Sequence, residues 1–480
     1  MSDDTSQNDS EPKEVEELED LSLLDNFKML FGASRGFWLV NQINFLDGIA
    51  YFGILNLLTL FISRDVGMSI NASTIAVSTF TGLVTLFMFG GGFVSDWLGV
   101  RKAITLCLGG LLIGRILLLI SPEFGHASTL WTGLIFMAIA TGIMQPALYA
   151  GVKEFSDPRT ATIGYSLLYA IMNLGIVSEG ILSPLVREWS RPELNDAGET
   201  ISHGMFHGSF LDIFVNESNG IGGVFIFLVG VTALMFVLHI ILFTKKVEDR
   251  DRYVEVNKKP VVKVGEEKTM MERIKGLPFL DPRFIFFIFI LLPVRTLFAH
   301  QFLTIPEYVF RDFSEAVSDR LEWFQALNPL IIVIFVPLIA MFTRKVNVVK
   351  MMIIGTTVSA LTTFILVPGP HVSTLIIYTI VFSFGEAIWS SRFLEYVADL
   401  APAGKVGAYM GLAGIPWFLA KATTGLYAGN MIERFIPLNG PHDSGTMWLI
   451  YALIACISPV GLIIGYKWVM KSVKHSPSQA

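Results

Sequence analysis

Asn44, Asp47 and Tyr51 lie three and four residues apart in the stretch NQINFLDGIAYFG. On a helix that spacing lines an amide, a carboxyl and a phenol along one face. The surrounding residues are Phe, Ile and Leu, so the carboxyl sits inside an apolar run. Other charged or titratable side chains interrupt apolar runs in the same way: Arg115, Glu179, Arg295, His300, Glu386, Arg392, Glu395 and Lys421. Ionisable groups at bilayer depth are costly, and they mark solute pathways, proton relays or internal pairs. Acids and bases occur in both halves of the chain. The chemistry they suit is non-covalent: an acid to hold an amine, a base to hold a carboxylate, and a titratable group to carry a proton. Glu386, near the middle of its run, is assigned to the amine. Arg295 and Lys421 are assigned to the carboxylate. Asp47, His300 and Glu386 are the proton-coupling candidates, although a lone histidine in a helix is more often a hydrogen-bonding core residue. Arg392 and Glu395 are i,i+3 neighbours and are expected to neutralise each other. Arg115, toward the end of its run, is expected to snorkel. Glu179 has no partner that the sequence identifies.

The elements that must position these groups are long. The chain has 480 residues, of which 52% are hydrophobic and 16% charged, against roughly a quarter charged in soluble domains. A helix needs roughly 20 apolar residues to cross the hydrocarbon core, and helices satisfy their own backbone there. Runs that meet the criterion are 36–62, 70–95, 101–120, 128–152, 160–185, 222–244, 283–310, 319–343, 349–369, 373–400, 405–429 and 446–470. The expected class is therefore an all-α membrane protein with twelve transmembrane helices. Lys and Arg concentrate in the alternate set of loops that includes both termini, which predicts cytoplasmic termini in a cell membrane. The expected organisation is an acidic, mostly disordered tail (1–30), a six-helix bundle (31–244), a basic linker (245–282), a second six-helix bundle (283–470) and a short tail (471–480). The linker contains MMERIKGL, suited to a short amphipathic helix or a plain solvated segment. A long loop, 186–221, falls on the opposite side. The first residues lack a signal-peptide pattern. Cys107 and Cys456 both sit in apolar runs and exclude a disulfide framework. No phosphate-binding loop, metal cluster or nucleophile elbow is present. The expectation is a non-enzyme without cofactor or nucleic-acid partner, working with lipid, a proton and a small solute.

The segment GGGFVSDWLGVRK carries Gly92, Asp96, Gly99, Arg101 and Lys102. It resembles the loop signature of the major facilitator superfamily, G-x3-D-x2-G-x-[RK]-[RK], with Trp97 where a basic residue is usual. Six spans, a basic linker and six more spans are that superfamily's layout, with the solute site between the halves. A narrower resemblance is to the proton-dependent oligopeptide transporter family. GYSLLYAIMNLGIVSEGILSP is similar to its fifth-helix pattern F-Y-x-x-I-N-x-G-x-L, with Tyr169, Asn173 and Gly175 in place. Asn328-Pro329 and Pro337 resemble its eighth helix. GEAIWSSRFLEYVADLAP, holding Glu386, resembles its tenth, and PWFLAKATTG, holding Trp417 and Lys421, its eleventh. The resemblance implies a central site that includes Asn44, Tyr51, Gln145, Tyr169, Asn173, Gln301, Asn328 and Trp417.

The departures bear on coupling. Where the family's first helix has E-x-x-E-R, this chain has Asn44, Asp47 and Gly48. Gln145 replaces the fourth-helix Lys, and His300 stands where the seventh helix has a carboxylate, with Gln301 kept. The resemblance implies uptake of small peptides by alternating access with proton symport. Two alternatives remain. One is a carrier of the same fold for another amphiphile, drug-like or lipid, with different coupling or none. The other is a non-transporting scaffold or receptor.

Overall fold

The computed structural model describes residues 32–156, 161–195, 197–216, 219–252, 282–343, 346–400 and 415–473. The acidic tail, the MMERIKGL segment and the 401–414 connection lie outside them. So do the side chains of Asp96, Pro337, Arg392 and Glu395.

The first half contains α1 (Arg35–Leu60), α2 (Ile70–Leu98), α3 (Val100–Ile120), α4 (His126–Phe155), α5 (Ala161–Ser190) and α6 (Ile221–Leu242). Their starts follow local chemistry. Ser34 and Ser69 cap α1 and α2 by accepting hydrogen bonds from the amides of Phe37 and Ala72. Gly99 separates α2 from α3 with φ of 77°, a left-handed backbone that glycine adopts without strain. A short helix, α7 (Lys245–Asp251), opens the linker.

The second half contains α8 (Pro282–Ile290), α9 (Leu292–Leu303), α10 (Ile305–Asp312), α11 (Glu315–Ser318), α12 (Leu321–Phe342), α13 (Val348–Thr362), α14 (Val372–Leu400), α15 (Ile415–Phe435) and α16 (Ser444–Val473). The expected seventh span, 283–310, is thus not one helix. It breaks before Pro293 and again before Pro306, where proline has no N–H to continue the ladder. On the long loop, β1 (Glu193–Leu194) and β2 (Thr200–Ser202) pair antiparallel.

Within the first half α1 packs on α5 and α6, and α4 packs on α2 and α3. Within the second, α14 packs on α12 and α13, while α16 packs on α9 and α13. The halves meet chiefly along α2–α15 and α5–α12. Large apolar side chains such as Leu106, Ile113, Leu234, Ile241 and Ile464 face outward at half exposure or more, as lipid-contacting positions do.

One end of the bundle carries the linker and the free ends of α1 and α16; the other carries the 186–221 loop. At the linker end the described bonds stay inside the first half. Gly36 N donates to Asp251 at 2.8 Å, Arg101 meets Glu248 at 2.9 Å, and Arg252 meets Glu154 at 3.1 Å. Arg250 donates twice to Asp251 and holds its carboxyl below the usual carboxylate range. Arg101 of the loop signature therefore pairs with the start of the linker, and Lys102 is exposed.

At the loop end the bonds cross between halves. Arg187 of α5 donates to both oxygens of Glu322 on α12 at 3.0 Å, and Arg191 meets Asp319 at 2.8 Å. Ser63 donates to Glu307 of α10 at 3.0 Å, and Thr59 donates to the Phe302 carbonyl at 2.8 Å. Nearer midspan, Thr74 and Ser78 of α2 donate to the carbonyls of Gly425 and Lys421 on α15.

Candidate functional site

Between the halves lies a cavity of about 290 Å³, reached by α1 and α5 from one side and by α9, α12, α14 and α15 from the other. Tyr51, Tyr169, Asn173, Gln301, Asn328, Glu386, Trp417 and Lys421 all line it, as does Asn56. A second space of about 210 Å³, toward the first half, is lined by Asn44, Asp47, Tyr51, Gln145 and Lys421. Tyr51, Phe52, Met172 and Lys421 border both. The residues expected to form a central site are therefore brought together, except for Arg295 and His300.

The two walls differ in how their charges are satisfied. Asp47 is not an isolated acid. Its Oδ1 accepts from Arg115 Nη2 at 2.9 Å, and Arg115 Nη1 donates to Thr232 of α6 at 2.5 Å. Arg115 is fully buried, which corrects the expectation that it snorkels. The pair ties α1, α3 and α6 together inside the first half. Asn44 is likewise engaged, donating to the Leu168 carbonyl at 2.6 Å. Gly48, where the similar family has Arg, explains why the base comes from α3. A Cβ at Gly48 lies 2.6 Å from the Met172 carbonyl oxygen, and one at Gly175 lies 2.3 Å from that of Phe45. The backbones of α1 and α5 touch there and leave no room for a side chain, as in other small-residue crossings of membrane helices.

On the other wall Glu386 accepts from Asn328 Nδ2 at 2.8 Å, and Asn328 also donates to Ser383 at 3.0 Å. No basic side chain among the described residues bonds Glu386. The Lys421 ammonium has no hydrogen bond or ion pair among the described residues either, while its carbonyl receives Ser78 from the other half. Gln301 donates to the Tyr378 hydroxyl at 2.9 Å. Asn173 donates to its own helix at the Tyr169 carbonyl. The wall thus presents an acid and a base, separately, to one cavity.

Arg295 and His300 sit elsewhere. Arg295 is buried behind Trp417, with its guanidinium 4.2 Å from the Phe393 ring, 4.6 Å from Trp417 and 5.2 Å from Trp389. It is a cation–π cluster next to the cavity, not part of its wall. His300 is fully buried; Nδ1 meets Thr304 at 2.7 Å, Nε2 meets Tyr427 at 3.1 Å, and its ring stacks on Tyr451. Both nitrogens are engaged, as in a core histidine. Glu179, unassigned from sequence, accepts from Ser183 at 2.6 Å and from Asn56 at 3.4 Å. Sequence reasoning missed Arg187, Asp319 and Glu322. Their signal was a basic residue in the last turn of α5 facing acids around the first turn of α12, which reads as an ordinary interface charge until the halves are docked.

Helices in two halves around a shared cavity that holds an acid and a base are the architecture of a multi-pass membrane carrier. Residues 43–305 match the Major Facilitator Superfamily, and the chain belongs to that family. More specifically, it is 26% identical over 437 residues to dipeptide and tripeptide permease A of Escherichia coli K12, covering 83% of this chain and 84% of that one. It is 29% identical over 153 residues to peptide transporter family 1 of Drosophila melanogaster, a match covering 30% of this chain and 20% of the fly protein. Among solved structures, a POT family transporter in complex with 5-aminolevulinic acid superposes with a TM-score of 0.65 at 18% identity. That match covers 92% of this chain and 97% of the other. A peptide transporter POT in complex with alafosfalin gives 0.67 at 17%, covering 92% and 96%. These likenesses show the fold; the arrangement of Asp47, Arg115, Glu386 and Lys421 is read from this chain.

Proposed function

We propose that the protein is a secondary transporter that moves small peptides or peptide-like zwitterions across the membrane by alternating access with proton symport. The observation that carries this reading is the pair of opposite charges, Glu386 and Lys421, both facing one cavity between the halves and neither neutralised by a described side chain. A solute with an ammonium at one end and a carboxylate at the other supplies both missing partners. Charge-assisted hydrogen bonds in such a site are about twice as strong as neutral ones. Asn173, Gln301 and Asn328 offer amide donors and acceptors suited to a peptide bond, and Tyr51, Tyr169 and Trp417 offer faces for side chains. Relatives named as dipeptide and tripeptide permeases support the same class of cargo.

The hydrogen bonds at the loop end hold that end shut. With the linker and termini cytoplasmic, as the Lys and Arg distribution favours, this is a state closed toward the outside. The opposite state requires Arg187–Glu322, Arg191–Asp319 and Ser63–Glu307 to part. The rings of Phe52, Phe298, Phe302 and Phe382 around the cavity favour a second reading, an amphiphile with a larger apolar part. Unneutralised charge in the cavity weighs against a passive scaffold, which has no use for it.

The test is uptake of labelled di- and tripeptides into vesicles of reconstituted protein with an imposed proton gradient. Accumulation that a protonophore abolishes supports the proposal. Gradient-independent flux of peptides, or flux of hydrophobic amines alone, overturns it.

A further inference from the structure

The buried acids can be sorted by what holds them. Asp47 has Arg115; Glu248 has Arg101; Asp251 has Arg250; Glu322 has Arg187; Glu307 has Arg311 at 2.7 Å and Arg64 at 3.8 Å; Asp312 has His442. Asp65 takes two amides, from Asn216 and Asn219, at the loop end. Glu386 faces the cavity. Glu179 remains. It is 1% exposed, on α5, and bonds no base among the described residues.

Its surroundings connect two places that matter. From α1, Asn56 donates to Glu179 and also lines the central cavity, while Gly53 lets α1 press on the Glu179 stem, a Cβ there lying 2.9 Å from Cγ. From α6, Leu228 is apolar and packs on the same glycine. From α12 in the other half comes Glu322, whose own charge is taken by Arg187 at 3.0 Å. One residue on, Gly180 meets α12 backbone to backbone: a Cβ there lies 2.8 Å from the Glu322 carbonyl oxygen. On its own helix Ser183 supplies the remaining hydrogen bond. Ser183 and Asn56 serve a neutral acid as well as an anion, because a hydroxyl both donates and accepts and an amide carries both functions.

We propose that Glu179 is a proton-binding site of the transport cycle, placed at the α5–α12 joint so that its protonation state biases the loop-end closure. A neutral Glu179 lets α5 and α12 stay docked beside Glu322. Loss of the proton toward the central cavity, which Asn56 also lines, leaves an uncompensated buried carboxylate one residue from the Gly180–Glu322 backbone contact, and that charge disfavours the docked state. Parting of the halves then exposes Glu179 to water, where it reloads. The inference rests on the transport reading and names the group that couples it.

The experiment compares wild type, E179Q and E179D in proteoliposomes. E179Q, a permanent neutral mimic, is expected to lose proton-driven accumulation of a dipeptide more than about tenfold. Counterflow exchange, which needs the loop end to open but no net proton movement, falls less than accumulation does, and dipeptide affinity is unchanged. E179D still couples, with its pH midpoint displaced by at least ~0.4 units, the difference between the two free carboxyls. Accumulation by E179Q equal to wild type overturns the proposal, and so does equal loss of accumulation, exchange and binding, the mark of a packing residue. If E179Q does not fold, an unchanged midpoint in E179D overturns it alone. A wild type without proton-driven uptake overturns the transport reading itself, which keeps the two failures apart.

Discussion

The two walls of the cavity carry similar charges and treat them in opposite ways. On the first-half wall Asp47 is locked to Arg115, and Arg115 in turn to Thr232. On the second-half wall, among the described residues, Glu386 bonds only the Asn328 amide and the Lys421 ammonium bonds nothing. A buried ion pair is a structural element: removing one member leaves an uncompensated charge at a cost of about 3–5 kcal/mol. An unpaired acid or base beside a cavity has its bonding capacity left for a ligand. The comparison teaches that position in a span does not distinguish the two roles; the partner on the neighbouring helix does.

The largest effect should come from breaking the structural wall. R115L leaves Asp47 buried without its base, and the folded protein should lose about 3–5 kcal/mol, read as lowered thermal stability in detergent. D47L combined with R115L should recover much of that loss. Next is E386Q, which should leave the melting temperature near wild type and weaken dipeptide binding about 100-fold, the scale of losing one partner of a buried charged hydrogen bond. K421Q should cost about tenfold for a dipeptide and nothing for its C-terminal amide, since the amide has no carboxylate to lose. The smallest effect belongs to the linker end. The Asp251 carboxyl is lowered by Arg250, so its stabilisation is present at neutral pH and fades as pH falls through that lowered value. Its partner Arg250 is more than half exposed and solvent screens the pair, so D251N should lower Tm by about 1 °C at pH 7, with the difference from wild type shrinking in acid.

Much of this was legible in the sequence because the bilayer dictates it. Length and apolarity set the helices, and the prolines of 282–312 explain where the seventh span breaks. The cavity residues were also legible, since Tyr51, Asn173 and Glu386 are polar groups in apolar runs and must face something other than lipid. What was not legible is pairing. Nothing near Asp47 in the chain points to Arg115, 68 residues away. Gly48 reads as a lost arginine until α5 is seen against it. Arg295 and His300 carry the right chemistry at the right depth, yet aromatic rings and hydroxyls already hold them. Such assignments depend on helix rotation, which periodicity in a uniformly apolar span leaves undetermined.

The most direct test of the account is calorimetric titration of the purified protein with one dipeptide, its N-acetyl form and its C-terminal amide, on wild type, E386Q and K421Q. The account predicts that wild type prefers the free dipeptide to both blocked forms. It also predicts that E386Q no longer distinguishes the acetylated form and K421Q no longer distinguishes the amide. Equal affinity of wild type for all three, or a preference that survives both substitutions, would contradict it.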